Sequence, residues 1–260
     1  MENYYTRENR ITTACLLAAG TGSRLHPYTD SVPKCLTEVN GQPILQLLVD
    51  GLLDNGFKRL VVVVGHLEHC IRSFLSKNGG GLTIEYVTNP LFQTTNNIYS
   101  LWLAEEKIQE SSLLIESDLI FDHSLLEDFL YPDKIAISPV QPWMSGTLVS
   151  MNNQNRVSAF NMGVNVYNGS MRKSMFKTVN IYSLSWLSWQ KVFKRLEVYI
   201  SNGQVNEYYE TVFKEMVANG SLSLEGVFFD PQLWYEIDTA EDLKNAERIL
   251  DQIEAFNETL

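Results

Sequence analysis

The chain has 260 residues, of which 45% are hydrophobic, and it carries a formal net charge of −11. It is long and apolar enough to bury a sizeable core, whereas its acidity argues against a nucleic-acid partner, because such proteins need a basic face to neutralise phosphates. No apolar run approaches the roughly 20 residues that cross a bilayer, so we expect neither a membrane span nor a signal peptide.

The first half of the chain alternates short β-branched runs with amphipathic stretches. Four runs predict buried strands: TTACLLA (12–18), RLVVVVG (59–65), LTIEYVT (82–88) and SLLIESD (112–118). Three stretches between them predict helices: PILQLLVDGLLDNG (43–56), HLEHCIRSFLSKN (66–78) and NIYSLWLAEEKI (97–108). This alternation is typical of βαβ units. It predicts an α/β fold whose central sheet is mixed, mainly parallel, and covered by helices on both faces.

After residue 118 the pattern changes. Four further runs with few helical insertions predict antiparallel or mixed strands: KIAISPV (134–140), GTLVSMN (146–152), RVSAFNM (156–162) and TVNIYSLS (178–185). Helices are then predicted at 185–200 and 207–218, and short strands at 222–228 and 233–237. The last segment, TAEDLKNAERILDQIEAF, predicts a helix capped by Thr239, with Asp242 three residues later in a variant of the capping box.

The organisation of the chain favours one unit. We find no internal repeat, low-complexity tract or linker, so we expect a single domain over residues 1–260, with a polar extension at 1–11 and a helical elaboration from about 185 to 260. Three cysteines, Cys15, Cys35 and Cys70, lie in or beside apolar stretches without metal-ligand or disulfide spacing. That pattern predicts a reducing, cytoplasmic location.

A glycine-rich turn, LAAGTGSRL, follows the first predicted strand directly. In an α/β fold this is the carboxyl end of the sheet, where ligands bind. A dinucleotide fingerprint would need glycine at Leu25, and a Walker A loop would need lysine directly after its last glycine, whereas Lys34 lies twelve residues beyond Gly22. A turn selected for backbone conformation alone would explain Gly20 and Gly22. It would not explain Arg24 or the PKCL segment, so we favour a phosphate-binding loop.

Two aspartates follow predicted strands, Asp118 in SLLIESD and Asp238 in WYEIDT. A carboxylate at the carboxyl end of a strand can coordinate Mg²⁺ against phosphate oxygens. The alternative for Asp118 is a turn or a helix cap, which is the commoner use of such an aspartate. The alternative for Asp238 is that it caps the final helix in place of Thr239.

The segments LAAGTGSRL, PKCL and GQPIL together resemble the signature of the sugar-nucleotidyltransferase superfamily, which has a glycosyltransferase-A-like, Rossmann-like α/β fold. The resemblance implies that residues 18–24 wrap a nucleoside triphosphate, that Arg24 meets its β- and γ-phosphates, and that Lys34 contacts phosphoryl oxygens. It also implies that Asp118 and Asp238 hold Mg²⁺. The implied nucleotide site consists of Leu17, Ala18, Ala19, Gly20, Thr21, Gly22, Ser23, Gly65, Asn89, Asn96, Asn97 and Ser117.

Further motifs narrow the resemblance: TNNIYSLW (95–102), ESDLIFD (116–122), KTVNIYSLS (177–185), NEYYETVF (206–213) and WYEIDT (234–239). They are similar to the phosphocholine cytidylyltransferase group, and more closely to its branch that activates phosphonates such as 2-aminoethylphosphonate with CTP. The similarity covers residues 12–252. It implies that Lys177, with Arg24 and Lys34, is catalytic and lies between the acceptor phosphonate and the α-phosphate. Asn180 would orient this acceptor site.

The ammonium group of such an acceptor requires aromatic faces or an anionic partner. Trp143, in the polar stretch QPWMSG, and Trp234 are candidates for cation–π contacts. A primary ammonium would instead favour a carboxylate or a hydroxyl, for which Glu210 and Tyr209 are candidates, although this helix face can also be read as simply amphipathic.

These features predict an enzyme that transfers CMP from CTP to a small phosphonate, above all 2-aminoethylphosphonate, and releases pyrophosphate. Phosphocholine or phosphoethanolamine is the first alternative acceptor. A sugar-1-phosphate uridylyl- or thymidylyltransferase is a second alternative, against which TNNIYSLW and KTVNIYS count. A catalytically silent nucleotide sensor is a third, disfavoured by the intact loop, lysine and aspartates. We expect CTP, the acceptor and Mg²⁺ as partners, and the sequence is compatible with a homodimer.

Overall fold

The computed structural model of the protein describes residues 10–142, 144–163 and 175–257. Within these ranges the strands are β1 (Thr13–Ala18), β2 (Glu38–Val39), β3 (Gln42–Pro43), β4 (Arg59–Val64), β5 (Thr83–Thr88), β6 (Ser112–Glu116), β7 (Leu119–Phe121), β8 (Lys134–Pro139), β9 (Leu148–Met151), β10 (Val157–Asn161), β11 (Met175–Leu184), β12 (Glu225–Phe228) and β13 (Trp234–Glu236). The α-helices are α1 (Ile44–Asp54), α2 (Glu68–Asn78), α3 (Asn97–Leu103), α4 (Trp186–Ser201), α5 (Glu210–Ala218) and α6 (Ala240–Asn257). The predicted strands and helices are all present, with shifted ends.

The central sheet begins with four neighbouring parallel strands in the order β5–β4–β1–β6. Their buried Val, Ile and Leu residues suit a sheet that is covered on both faces. In this register Leu17 of β1 lies beside Val63 of β4 and Glu116 of β6. Because the strands are parallel, the loops that follow them leave the sheet at one edge. The predicted α/β fold is confirmed.

The second half of the chain extends this sheet with antiparallel pairs. Strand β11 runs antiparallel to β6, β8 and β9, and β10 pairs antiparallel with β9. Strand β12 joins β8 in parallel. The register between β11 and β8 shifts between Thr178 and Tyr182, and Asn180 within this irregularity has a left-handed φ of 60°. The shift is a β-bulge, a feature that re-aims neighbouring side chains.

Each face of the sheet is covered by its own set of helices. Alternate residues of β1 divide between the two faces: Leu16 packs in one buried cluster and Leu17 in the other. The first cluster includes buried residues of α1, α2 and α6, and the second includes buried residues of α3, α4 and α5. Since strand side chains alternate with a period of two, this division follows from the pleat.

The chain returns to the sheet edge near its end. Strand β13 pairs antiparallel with β7, and the Ile237 N–H donates to the Asp118 carbonyl at 2.9 Å. The Thr239 N–H donates to Asp242 Oδ2 at 2.7 Å, and the Asp242 N–H donates to Thr239 Oγ1 at 3.3 Å. This reciprocal pair confirms the predicted capping box. It leaves the carboxylate of Asp238 available for other contacts.

Two further predictions concern cysteines and membranes. Cys15, Cys35 and Cys70 are free thiols, and burial raises the pKa of Cys15 to about 12. In the part of the chain that the structure describes, no helix combines the length and the apolar character that a membrane span requires.

Candidate active site

A cavity of about 460 Å³ opens at the carboxyl edge of the parallel strands. Its walls come from the loops that follow β1, β5 and β6, at residues 17–24, 89–97 and 116–118, with contributions from Lys34, Tyr208 and Asp238. Ligands of α/β folds bind at this edge. The volume is within the usual range for small-molecule and cofactor pockets.

The glycine-rich turn forms one wall of this cavity, and its two glycines have different roles. Gly22 has a left-handed φ of 64°, and a Cβ there would lie 3.1 Å from the side chains of Lys34 and Thr29. Backbone conformation and close packing therefore both require glycine at this position. A Cβ at Gly20 would meet no heavy atom of the described chain within 4 Å. The protein itself therefore leaves Gly20 free of steric demand, and the space beside it belongs to the cavity.

Lys34 joins the two aspartates that follow distant strands. Its Nζ lies 2.7 Å from Asp118 Oδ2 and 2.8 Å from Asp238 Oδ1, and Arg24 Nη2 lies 2.7 Å from the same Asp238 oxygen. The buried side chains of Leu25 and Cys35 anchor the two short helical turns that carry these basic residues.

Both carboxylates are held close to Lys34 in partly buried positions, since the side chains of Lys34, Asp118 and Asp238 are 15%, 14% and 20% exposed. Burial disfavours the charged ammonium. The carboxylates of Asp118 and Asp238 outweigh this effect and raise the pKa of Lys34 above its ordinary value. Lys34 therefore remains protonated at any physiological pH.

The same two carboxylates fit a divalent cation that shares its ligands with a phosphate. Asp118 Oδ1 is buried and has no hydrogen-bond partner within the described residues, so it is an oxygen with unused acceptor capacity. The ammonium of Lys34 already marks the point between the two carboxylates as one that favours positive charge. No cluster of three or more His, Cys, Asp or Glu side chains suited to a metal occurs in the described ranges. A hard ion such as Mg²⁺ would therefore take its remaining ligands from phosphate oxygens and water.

A smaller pocket of about 70 Å³ adjoins the first on the far side of Asp238. It is lined by Met144, Ser145, Lys177, Trp234, Tyr235, Glu236, Asp238 and Asp242. Lys177 is almost fully buried, and its Nζ lies 3.1 Å from Glu236 Oε2 and donates to the Thr178 carbonyl at 2.6 Å. Asn180, on the bulge of β11, donates to Glu236 Oε1 at 3.2 Å. Lys177 and Asn180 thus both bind Glu236.

Three glutamates lie in this part of the site: Glu210 is buried, whereas Glu116 and Glu236 are half-buried. Burial raises the pKa of Glu236 and of Glu210 above the ordinary value, and Lys177 opposes the rise in both. Burial, together with Asp118, Glu210 and Glu236, raises the pKa of Glu116 well above its usual range. Thr147 Oγ1 donates to Glu210 Oε1 at 3.4 Å, while Glu210 Oε2 has no partner among the described residues. The region around Lys177 therefore has an excess of acidic groups.

Most residues predicted for the nucleotide line the larger cavity: Leu17, Ala18, Ala19, Gly20, Thr21, Gly22, Ser23, Asn89, Asn96, Asn97 and Ser117, together with Arg24, Lys34, Asp118 and Asp238. Gly65 lies behind the wall instead. A Cβ there would lie 2.8 Å from the Ala19 carbonyl oxygen and from Phe92 Cβ. Gly65 is therefore required for the close packing that supports the loop.

The predicted acceptor residues divide into three groups. Trp234 lines the smaller pocket, Asn180 binds Glu236, and Glu210 lies near Lys177. Tyr209 is fully buried, and its ring packs against Tyr182 and Phe213 with centroids 5.8 and 5.3 Å away. The structure places this ring in the core, which corrects its assignment as an acceptor contact. Trp143 lies outside the described residues.

Two site residues escaped the sequence analysis. Glu236 binds Lys177 in the smaller pocket, and Glu116 lines the larger cavity. The available signal for Glu236 was its place in the short predicted strand that leads to Asp238, since most of residues 234–238 line one pocket.

Comparisons with known proteins agree with this geometry. Residues 13–132 match the family model described as nucleotidyl transferase. A CMP-5'-(3-aminopropyl)phosphonate synthase of Streptomyces rubellomurinus is 30% identical over 239 residues, which are 90% of this chain and 38% of that protein. A 2-aminoethylphosphonate cytidylyltransferase of Lancefieldella rimae is 33% identical over 110 residues, 42% of this chain and 44% of that protein. The aligned regions thus span less than half the length of either relative.

The fold is shared with a solved structure. A CTP:phosphocholine cytidylyltransferase from Streptococcus pneumoniae superimposes with a TM-score of 0.79 at 21% identity, and the match covers 93% of this chain and 99% of that one. At this identity the likeness concerns the fold. The family match over residues 13–132 and the two relatives make the chain similar in sequence to the nucleotidyl transferases, among them cytidylyltransferases.

Proposed function

We propose that the protein transfers CMP from CTP to a small phosphonate that carries an amino group, above all 2-aminoethylphosphonate, and releases pyrophosphate. The observation that carries the proposal is the pair of adjoining pockets that share Asp238, with Lys34 in the larger one and Lys177 in the smaller one. Such an arrangement suits a reaction in which two anions must be brought together. Two relatives are named for aminoalkyl phosphonates.

In this proposal the triphosphate of CTP occupies the larger cavity. Backbone N–H groups of the glycine-rich turn would face the phosphates, and Arg24 and Lys34 would neutralise part of their charge. Asp118 and Asp238 would hold Mg²⁺, which supplies further positive charge against the phosphate oxygens. These roles rest on the family resemblance, whose motifs include the glycine-rich turn and both aspartates.

The acceptor would occupy the smaller pocket, with its phosphonate toward Lys177. A phosphonate oxygen is already anionic at neutral pH, so it attacks the α-phosphorus without a base. The new oxygen–phosphorus bond forms as the bond between the α-phosphorus and the bridging oxygen breaks, and pyrophosphate leaves with that electron pair. The main barrier is the repulsion between two anions. Catalysis then depends on positioning and charge neutralisation.

The acidic groups around Lys177 support an acceptor with an ammonium group. A phosphonate alone would add negative charge beside the carboxylates of Glu210 and Glu236. An aminoalkyl phosphonate brings a compensating positive charge into this acidic region. The alternative acceptor, phosphocholine, is favoured by one observation, the presence of Trp234 among the residues that line the smaller pocket.

A pyrophosphate-release assay tests the proposal. Each of CTP, UTP, ATP and dTTP is combined with 2-aminoethylphosphonate, phosphocholine, phosphoethanolamine or glucose-1-phosphate. Ethylphosphonate, which lacks only the amino group, is the matched control acceptor. We expect the highest kcat/KM for CTP with 2-aminoethylphosphonate and a much lower value for ethylphosphonate. A preference for UTP or dTTP with glucose-1-phosphate would show that the proposal is wrong.

A further inference from the structure

Asn97 uses both ends of its side chain inside the protein. It is the first residue of α3 and lines the larger cavity. Its Nδ2 donates to Glu116 Oε1 at 3.2 Å, and its Oδ1 accepts from the Tyr209 N–H at 3.0 Å. These two bonds fix the orientation of the amide and leave it one N–H and one oxygen lone pair. The side chain connects the start of α3 to the end of β6 and to the start of α5.

The bond to Tyr209 lies at the start of α5. The first N–H groups of a helix lack partners within it, and among the described contacts Tyr209 provides no side-chain cap for α5. Asn97 Oδ1 therefore satisfies an N–H at this helix start from another element. Glu210 is the next residue, is buried, and lies near Lys177. Any shift of this helix start moves the carboxylate of Glu210.

A second contact ties the same two segments together. The Asn96 N–H donates to the Val205 carbonyl at 2.9 Å, one residue before Asn97 and a few residues before α5. The start of α3 and the segment that leads into α5 are thus held in register. The wall of the nucleotide cavity is in this way connected to a carboxylate beside Lys177.

We propose that Asn97 is a positioning residue for the acceptor site, which fixes Glu210 through the Tyr209 N–H and Glu116 through its own amide group. This inference rests on the proposed function and adds to it. The resemblance assigns Asn96 and Asn97 to the nucleotide site, whereas the hydrogen bonds of Asn97 connect it to Glu116 and, through the Tyr209 N–H, to the start of the helix that carries Glu210. Removing the Asn97 side chain should therefore raise KM for the acceptor more than KM for CTP.

Steady-state kinetics with CTP and 2-aminoethylphosphonate test this role. We expect Asn97→Ala to raise KM for the acceptor about tenfold, the effect of losing a buried hydrogen bond to a charged group, and to raise KM for CTP by no more than about threefold. Asn96→Ala is the matched control, because it removes the cap of the same helix and the long contact from Asn96 Nδ2 to the Asn206 carbonyl at 3.4 Å, but leaves the Tyr209 and Glu116 contacts in place. We expect it to raise KM for CTP at least as much as KM for the acceptor.

A second test exchanges the donor and the acceptor between positions 97 and 116. It remains informative even if Asn97→Ala folds poorly. Asn97→Asp keeps the acceptor for the Tyr209 N–H but places a carboxylate against Glu116, so we expect a rise of more than about tenfold in KM for the acceptor. Adding Glu116→Gln restores a donor opposite an acceptor and should recover most of that loss. A merely structural loosening of α3 would not be repaired by this exchange.

The outcomes separate the two proposals. If the wild-type protein releases no pyrophosphate from CTP with any amino-bearing phosphonate or phosphate, the proposed function is wrong. If the wild type is active and Asn97→Ala raises KM for CTP as much as or more than KM for the acceptor, or leaves both unchanged, the inference about Asn97 alone is overturned. The same holds if Asn96→Ala gives an acceptor-selective rise or if Glu116→Gln fails to restore Asn97→Asp.

Discussion

Replacing Lys177 with methionine should separate the catalytic use of its charge from its structural use. The substitution keeps most of the buried hydrocarbon volume and removes the ammonium that binds Glu236 and the Thr178 carbonyl. In the proposed reaction this ammonium neutralises the attacking phosphonate. Loss of a preorganised charged donor costs about 10² to 10³ in rate, so we expect kcat/KM for 2-aminoethylphosphonate to fall by that factor.

The same substitution leaves Glu236 without its cationic partner. Breaking a buried ion pair from one side costs about 3 to 5 kcal/mol. Because the Glu236 side chain is 24% exposed, we expect the lower end of that range, about 3 kcal/mol. Adding Glu236→Gln removes the orphaned charge, while the amide oxygen can still accept from Asn180. The double variant Lys177→Met/Glu236→Gln should therefore recover most of the lost free energy of unfolding.

Two measurements distinguish these effects. Denaturant unfolding gives the free energy for the wild type, the single variant and the double variant, and pyrophosphate release gives kcat/KM. We expect the double variant to be stable and still inactive, with CTP affinity by calorimetry within about threefold of the wild type, since Lys177 lies outside the larger cavity. If the double variant turned over within tenfold of the wild type, Lys177 would have no catalytic role.

Three further predictions address the larger cavity and the pH dependence. Lys34→Met should lower kcat/KM about 10² to 10³-fold and weaken CTP binding in calorimetry; unchanged CTP affinity would contradict the assignment. Gly22→Ala should cost about 1 kcal/mol or more in denaturant unfolding because of its φ of 64° and the 3.1 Å contacts, whereas an equal cost for Gly20→Ala would show that the strain argument fails. Burial raises the pKa of Glu210, although a backbone hydrogen bond and the charge of Lys177 both act to lower it. The folded state then binds that proton more tightly, so wild-type stability falls as pH rises from 4.5 through the raised pKa. The stability difference in favour of Glu210→Gln should grow between pH 5 and pH 8, and a pH-independent difference would refute the shift.

Local patterns predicted the scaffold of the site well. Strands β1, β4 and β6 are buried on both faces and read as nearly continuous apolar runs, so the parallel sheet was visible in the sequence. The glycine-rich turn was recognisable because its signal lies within a few consecutive residues. The convergence of Asp118 and Asp238 required the family resemblance. The pairing of β13 with β7 that brings them together is a contact between distant segments.

The residues that sequence reasoning placed wrongly or missed depend on such distant contacts. Tyr209 was assigned to the acceptor because its hydroxyl could bind a primary ammonium, whereas its side chain is fully buried and its ring packs in the core. Glu236 looked like an ordinary polar residue of a short strand, because its partner Lys177 lies on β11. Gly65 could not be told from a ligand-contacting glycine without its neighbours Ala19 and Phe92.

The distribution of charge in the site connects these observations. The chain carries −11 overall, but charges more than about 8 Å apart are largely screened at physiological ionic strength. Near the glycine-rich turn, Arg24 and Lys34 balance Asp118 and Asp238. A divalent cation on those carboxylates would make that region net positive, as a triphosphate requires.

Around Lys177 the balance is reversed, because two glutamates, Glu210 and Glu236, interact with one lysine. A purely anionic acceptor would be repelled there, whereas a zwitterionic one would meet a compensating charge at each end. In the proposed reaction the second pocket would therefore select by charge as well as by size.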